Sequence, residues 1–102
     1  MTSDRPLLRD MLNERLRIVQ QMSAAQSRSL LNRQLSGGAE FEMQRIEREI
    51  AAMGGSLTLS KAFDEARERF EKANAAVATC EAQCVALEAG LEDVDRRIAA
   101  DK

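Results

Sequence analysis

Between Leu59 and Ile98 the chain repeats one spacing without a slip. Leu59, Phe63, Ala66, Phe70, Ala73, Val77, Cys80, Cys84, Leu87, Leu91, Val94 and Ile98 follow one another at alternating steps of four and three. A strict 3.5-residue period of small and apolar side chains is the pattern of a helix that supercoils left-handedly against another helix. At 1.5 Å per residue the seam is on the order of 60 Å long. A chain holding such a segment has little room for another architecture. No stretch alternates apolar and polar residues as a half-buried strand requires. Aromatics make up 3% of the residues and a single Pro is present.

The partner of this seam has to be found. A parallel homodimer would pair Arg69 with Asn74, Ala76 with Glu81, Gln83 with Glu88 and Gly90 with Asp95. None of these pairs joins opposite charges, so nothing specifies that assembly. The chain itself offers a second helix. Two glycine pairs, Gly37-Gly38 and Gly54-Gly55, divide it, and glycine inside a helix costs about 1 kcal/mol relative to Ala. The glycines predict a helix over 4–35, a bend at Gly37-Gly38, a helix over 39–53, a turn at Gly54-Gly55 and a long helix over 57–100. Pro6 falls in the first turn, where its missing N–H does no harm. Leu8, Met11, Leu12, Leu16, Val19 and Met22 form an amphipathic stripe, which thins over Ser23–Ser29 and resumes at Leu30 and Leu31. Ala39, Met43, Ile46, Ile50 and Met53 continue with coiled-coil spacing.

Folding at Gly54-Gly55 makes facing residue numbers add to about 110. Ile46 then meets Phe63, Met43 meets Ala66, Val19 meets Leu91 and Leu12 meets Ile98. The expected fold is therefore all-α: one domain over 1–102, a long antiparallel helical hairpin of coiled-coil type that associates with itself or a partner into a helical bundle. Its core is expected at Leu12, Val19, Met43, Ile46, Phe63, Phe70, Val94 and Ile98.

"LSGG" at Leu35–Gly38 resembles the signature segment of ABC-type ATPases, in which a glycine turn faces a nucleotide phosphate. The P-loop that such a segment must meet, GxxxxGK[ST], is absent. Ala39 replaces the usual Gln or Glu, and Glu40 and Glu42 would repel a phosphate. The glycines are better read as a bend, and the two acids as complements to a helix dipole. Length, hairpin shape and a mid-chain glycine turn are similar to those of the WXG family. The chain has no Trp, so that likeness is one of architecture.

Catalysis finds no footing. With no His in the chain, neither a Ser or Cys triad nor a Glu-x-x-His di-metal bundle can be assembled. Cys80 and Cys84 sit four apart on one helix, too far for a mutual disulfide, and two thiols do not complete a zinc site. They read as small core residues. No catalytic, cofactor-binding or metal-binding residue is expected, and no small-molecule ligand.

The expected activity is non-enzymatic protein–protein interaction, of the adaptor, assembly or export chaperone, or inhibitor kind, through helix packing. Ala75, Ala76, Ala78, Ala82, Ala86 and Ala89 widen the apolar face of the long helix. The contact centre is expected at Val77, Cys80, Ala82, Cys84, Leu87 and Leu91, against another protein or a second copy. The competing reading is a small nucleic-acid-binding regulator. Residues 1–36 carry six Arg against three acids, and Arg9, Arg15 and Arg17 would track a phosphate backbone. The net charge of −2 and the lack of an aromatic in that segment argue against it. Met1–Asp10 holds Asp4, Arg5 and Arg9 and no apolar core of a signal peptide. No window is apolar enough to span a bilayer. With two cysteines, the cytoplasm is the expected compartment, with signal-less secretion left open.

Overall fold

The computed structural model describes residues 4–101, and side chains from residue 7 onward. Arg5 and Pro6 lie in helical backbone, but their side chains are outside the described residues. Two α-helices account for nearly all of the described chain: α1, Asp4–Met53, and α2, Leu57–Ala100. They pack as a helical hairpin, and no strand occurs among the described residues.

α1 is one element of 50 residues. The segments expected as helices over 4–35 and 39–53 are one helix, which runs unbroken through Gly37 and Gly38. The reason lies in the residues either side. Ser36 and Ala39 are both buried, while Gly37 and Gly38 point away from the seam. Interrupting the helix would lift one of the buried pair out of register. The glycines cost about 1 kcal/mol each relative to Ala, and packing on both flanks holds the helix across them.

The turn follows from local chemistry. Gly54 has φ +85, and its N–H bonds the Ile50 carbonyl at 2.8 Å. This left-handed cap is one that glycine adopts without steric cost. Two residues later Ser56 starts α2. Its hydroxyl accepts the Leu59 N–H at 3.1 Å, and its carbonyl accepts the Ser60 N–H at 2.9 Å. Ser56 is thus a side-chain N-cap, a role that the sequence reading did not assign to it.

The chain divides into two compact units. The first joins residues 1–27 to 80–102, and the second is the continuous stretch 28–79 with the turn. In the first unit Met11, Ala25, Cys80 and Val94 are buried, and Ile18 lies against α2, where a Cβ built on Gly90 would be 3.7 Å from its Cδ1. In the second, Ser36, Ala39, Ile46, Ala66 and Ala73 are buried. Every seam position of α2 from Leu59 to Ile98 is buried or half-buried.

The pairing register can be read from the polar contacts. Arg15 with Asp95 (2.7 Å) and Ser36 with Asn74 (2.6 Å) add to 110, and Arg97 with Glu14 (3.1 Å) and Arg69 with Glu42 (2.6 Å) to 111. The expected antiparallel register therefore holds in each unit.

The face that α1 presents was misjudged over its first half. Leu12 and Val19, expected in the core, are 49% and 39% exposed. The positions that face α2 are Met11, Ile18, Met22, Ala25, Ser29, Asn32, Ser36, Ala39, Met43, Ile46 and Ile50, all buried or half-buried. They keep the same four-three rhythm when Arg15 is counted at its place in the series. A shift of one residue turns a helix face by about 100°, which puts Leu12, Leu16 and Val19 on the flank. Among the described residues, Ile46 and Val94 are the large side chains with essentially no exposure.

Candidate interaction surface

The contact centre expected on α2 resolves into two groups. Cys80 is buried, and Val77, Cys84, Leu87 and Leu91 are half-buried. In a two-helix chain that shielding comes from α1, so these five are engaged inside the hairpin. Ala82 is exposed, on the face opposite the seam. Among the expected core residues, Ile46 and Val94 are buried, and Met43, Phe63, Phe70 and Ile98 are half-buried. Both cysteines are free thiols. Among the described residues no group of three or more His, Cys, Asp or Glu side chains is placed to hold a metal ion.

The arginines of α1 are interleaved with acids. Arg15 is bonded to Asp95, and Asp10 and Glu14 intervene in the sequence between Arg9 and Arg17. Glu14 takes part in holding the hairpin: both of its carboxylate oxygens accept from Arg97 at 3.1 Å. That bond raises the Arg97 guanidinium above its ordinary pKa. Arg69 likewise reaches across from α2 to Glu42. Exposed pairs of this kind set register more than they add stability.

Several large apolar side chains stand exposed outside the seam. Leu12, Leu16 and Val19 are exposed in the first unit, as is Val85 on α2. Leu30, Leu31, Leu35 and Phe41 are exposed in the second. Of these, the sequence places Leu12, Leu16, Val19, Leu30 and Leu31 in the intramolecular stripe and gives Leu35, Phe41 and Val85 no role in packing. The signal that would have separated them was present. Extending the spacing of Ile50, Ile46, Met43 and Ala39 backwards through the glycines reaches Ser36, Asn32 and Ser29, and leaves Leu30, Leu31 and Leu35 off the seam.

The second unit also carries an open-sided groove of about 530 Å³. Leu35, Gly38 and Glu42 of α1 form one wall, and Arg69, Lys72 and Ala76 of α2 the other. Ala39 and Ala73, both buried in the seam, make its floor. The Glu42–Arg69 pair crosses it at one end. The "LSGG" segment thus contributes a leucine and a glycine to an apolar groove, and its serine to the seam. It forms no phosphate-facing turn.

Comparison with protein-family models, with curated proteins and with solved structures finds no match.

Proposed function

We propose that this chain is a non-enzymatic protein–protein interaction module of the adaptor, assembly chaperone or inhibitor kind, acting through helix-to-helix packing. The observation that supports the reading is the double use of apolar residues. One complete set closes the hairpin, and a second set, Leu12, Leu16, Val19, Leu30, Leu31 and Leu35, stays exposed. Exposed apolar side chains that recur along one helix are what a partner helix buries. In this reading α1 docks through residues beside its seam: Leu12, Leu16 and Val19 in the first unit, and Leu30, Leu31 and Leu35 in the second. A reducing compartment suits it, since Cys80 and Cys84 are both thiols. No helix among the described residues is long and apolar enough to cross a membrane.

The test is capture with the tagged full chain from its native cells, with nuclease treatment, followed by mass spectrometry. The reading expects a stoichiometric protein that survives nuclease and is lost with Leu16→Asp or Leu35→Asp, while the helical circular dichroism of both variants is retained. Partners that disappear on nuclease treatment, or on replacing Arg9, Arg15 and Arg17, would contradict it and favour nucleic-acid binding.

A further inference from the structure

The first unit has two sides, and its polar contacts separate them. Glu14 and Arg97 each stand one residue before a seam position, Arg15 and Ile98, and they bond each other. Asp95 stands one residue after Val94 and bonds Arg15 from the opposite side. Leu12, Leu16 and Val19 likewise follow the seam positions Met11, Arg15 and Ile18, and Val85, Glu88 and Glu92 follow Cys84, Leu87 and Leu91. Residues that follow the seam share the side of Asp95. That side therefore carries an apolar ridge on α1, with Leu12 49%, Leu16 56% and Val19 39% exposed, beside an exposed α2 rim of Val85, Glu88 and Glu92. The ridge steps by four and three, the spacing by which a docked helix is held. Glu88 and Glu92 differ from Glu14, Asp93 and Asp95, each of which bonds an arginine of the chain. They hold no ion pair or hydrogen bond among the described residues. They are four apart on one helix, where like charges repel. The α1 flank level with them, Leu16, Val19 and Ser23, carries no cation.

We propose that this side of the first unit is the docking face for a cationic amphipathic helix of another protein. The apolar stripe of that helix covers Leu12, Leu16 and Val19, and its Lys or Arg side chains, one turn apart, meet Glu88 and Glu92. One ligand thus answers both features that the hairpin leaves open, an uncovered ridge and an uncompensated acid pair. Arg15 is held by Asp95, and Arg9 stands beyond Leu12 at the far end of the ridge, so neither opposes the cations beside the glutamates. Other occupants fit less well. A second copy using the same face would set leucine on glutamate in one two-fold arrangement and glutamate on glutamate in the other, and a two-fold contact has to be self-complementary. An anionic membrane, a nucleic acid or an acidic helix would meet the glutamates with its own sign of charge.

The inference rests on reading the chain as an interaction module and names one of its faces and the chemistry of the partner. The probe is a fluorescently labelled model helix of leucine and lysine, apolar along one stripe, titrated with the full chain at low salt and read by anisotropy. It should bind in the micromolar range, and a leucine–glutamate helix of the same pattern should not. Leu16→Gln should weaken binding roughly tenfold. Glu88→Lys with Glu92→Lys should weaken it by about tenfold or more and should bring in binding of the leucine–glutamate helix. Glu65→Lys with Glu68→Lys, in the second unit, changes the net charge equally and should leave binding as it was. All five substituted side chains are exposed, and circular dichroism checks that each variant stays helical. No micromolar binding of the leucine–lysine helix, equal binding of the leucine–glutamate helix, or equal losses from the two charge reversals would overturn the proposal. Self-association of the chain that is lost with Leu16→Gln would overturn it in favour of a second copy. Capture from native cells separates it from the broader reading. A protein lost with Leu16→Asp but kept by Glu88→Lys with Glu92→Lys would overturn the cationic-helix assignment and leave the interaction-module reading standing. A chain that binds neither model helix and captures no protein would overturn both.

Discussion

The two helices of the hairpin place their apolar residues by different rules. In α2 most of the large apolar side chains are the seam: Phe63, Phe70, Leu87, Leu91, Val94 and Ile98 are buried or half-buried, while Leu57 and Val85 stay exposed. In α1 the seam is often made of small or polar residues. Ala25, Ser29, Asn32, Ser36 and Ala39 occupy it mid-helix, and several leucines stand beside it. The strongest apolar stripe in a helix is therefore not always the one that folds the chain. An uninterrupted spacing is the better guide to the packing face, because the backbone geometry that carries it does not depend on how large each side chain is.

That contrast can be broken most severely at its extremes. Ile46→Ala removes a side chain that is 1% exposed and should cost about 2–4 kcal/mol of unfolding free energy. Leu12→Ala removes one that is 49% exposed and should cost less than about 1 kcal/mol. Urea unfolding followed by circular dichroism measures both. Equal losses would mean that the flank is core after all.

The glycines give a smaller contrast of opposite sign. Gly54 has φ +85, so Gly54→Ala should destabilise by about 1–2 kcal/mol. Gly37 is helical with open space above it, so Gly37→Ala should stabilise by roughly 0.5–1 kcal/mol. Thermal melts of the two variants should move in opposite directions. A loss of stability at Gly37 would restore that glycine as a required bend.

Much of this fold was legible in the sequence. The bounds of α2, the turn at Gly54-Gly55 and the register near 110 came from unbroken periodicity and from matching the lengths of the two arms. What was not legible has physical reasons. A glycine pair reads as a break because propensity is local, whereas Ser36 and Ala39 hold the helix through contacts that propensity does not contain. Leu12 and Val19 were placed one residue off the seam because hydrophobicity drew the eye from Met11 and Ile18. The contacts Glu14–Arg97 and Glu42–Arg69 join residues 83 and 27 apart, which only the antiparallel register brings side by side. The groove joins residues far apart in sequence, so it emerged only when the two arms were laid side by side.

The central claim concerns which face of α1 meets α2, and paired cysteines test it most directly. In a chain with Cys80 and Cys84 replaced by Ala, Ser36→Cys with Asn74→Cys puts thiols where side-chain oxygens are now 2.6 Å apart. Mild oxidation should give an intramolecular disulfide with the helical signal intact. Leu35→Cys with Asn74→Cys moves one thiol by a single residue, round to the groove flank of α1 that Asn74 does not line, and should give none. Efficient cross-linking of the Leu35 pair in place of the Ser36 pair would contradict the account.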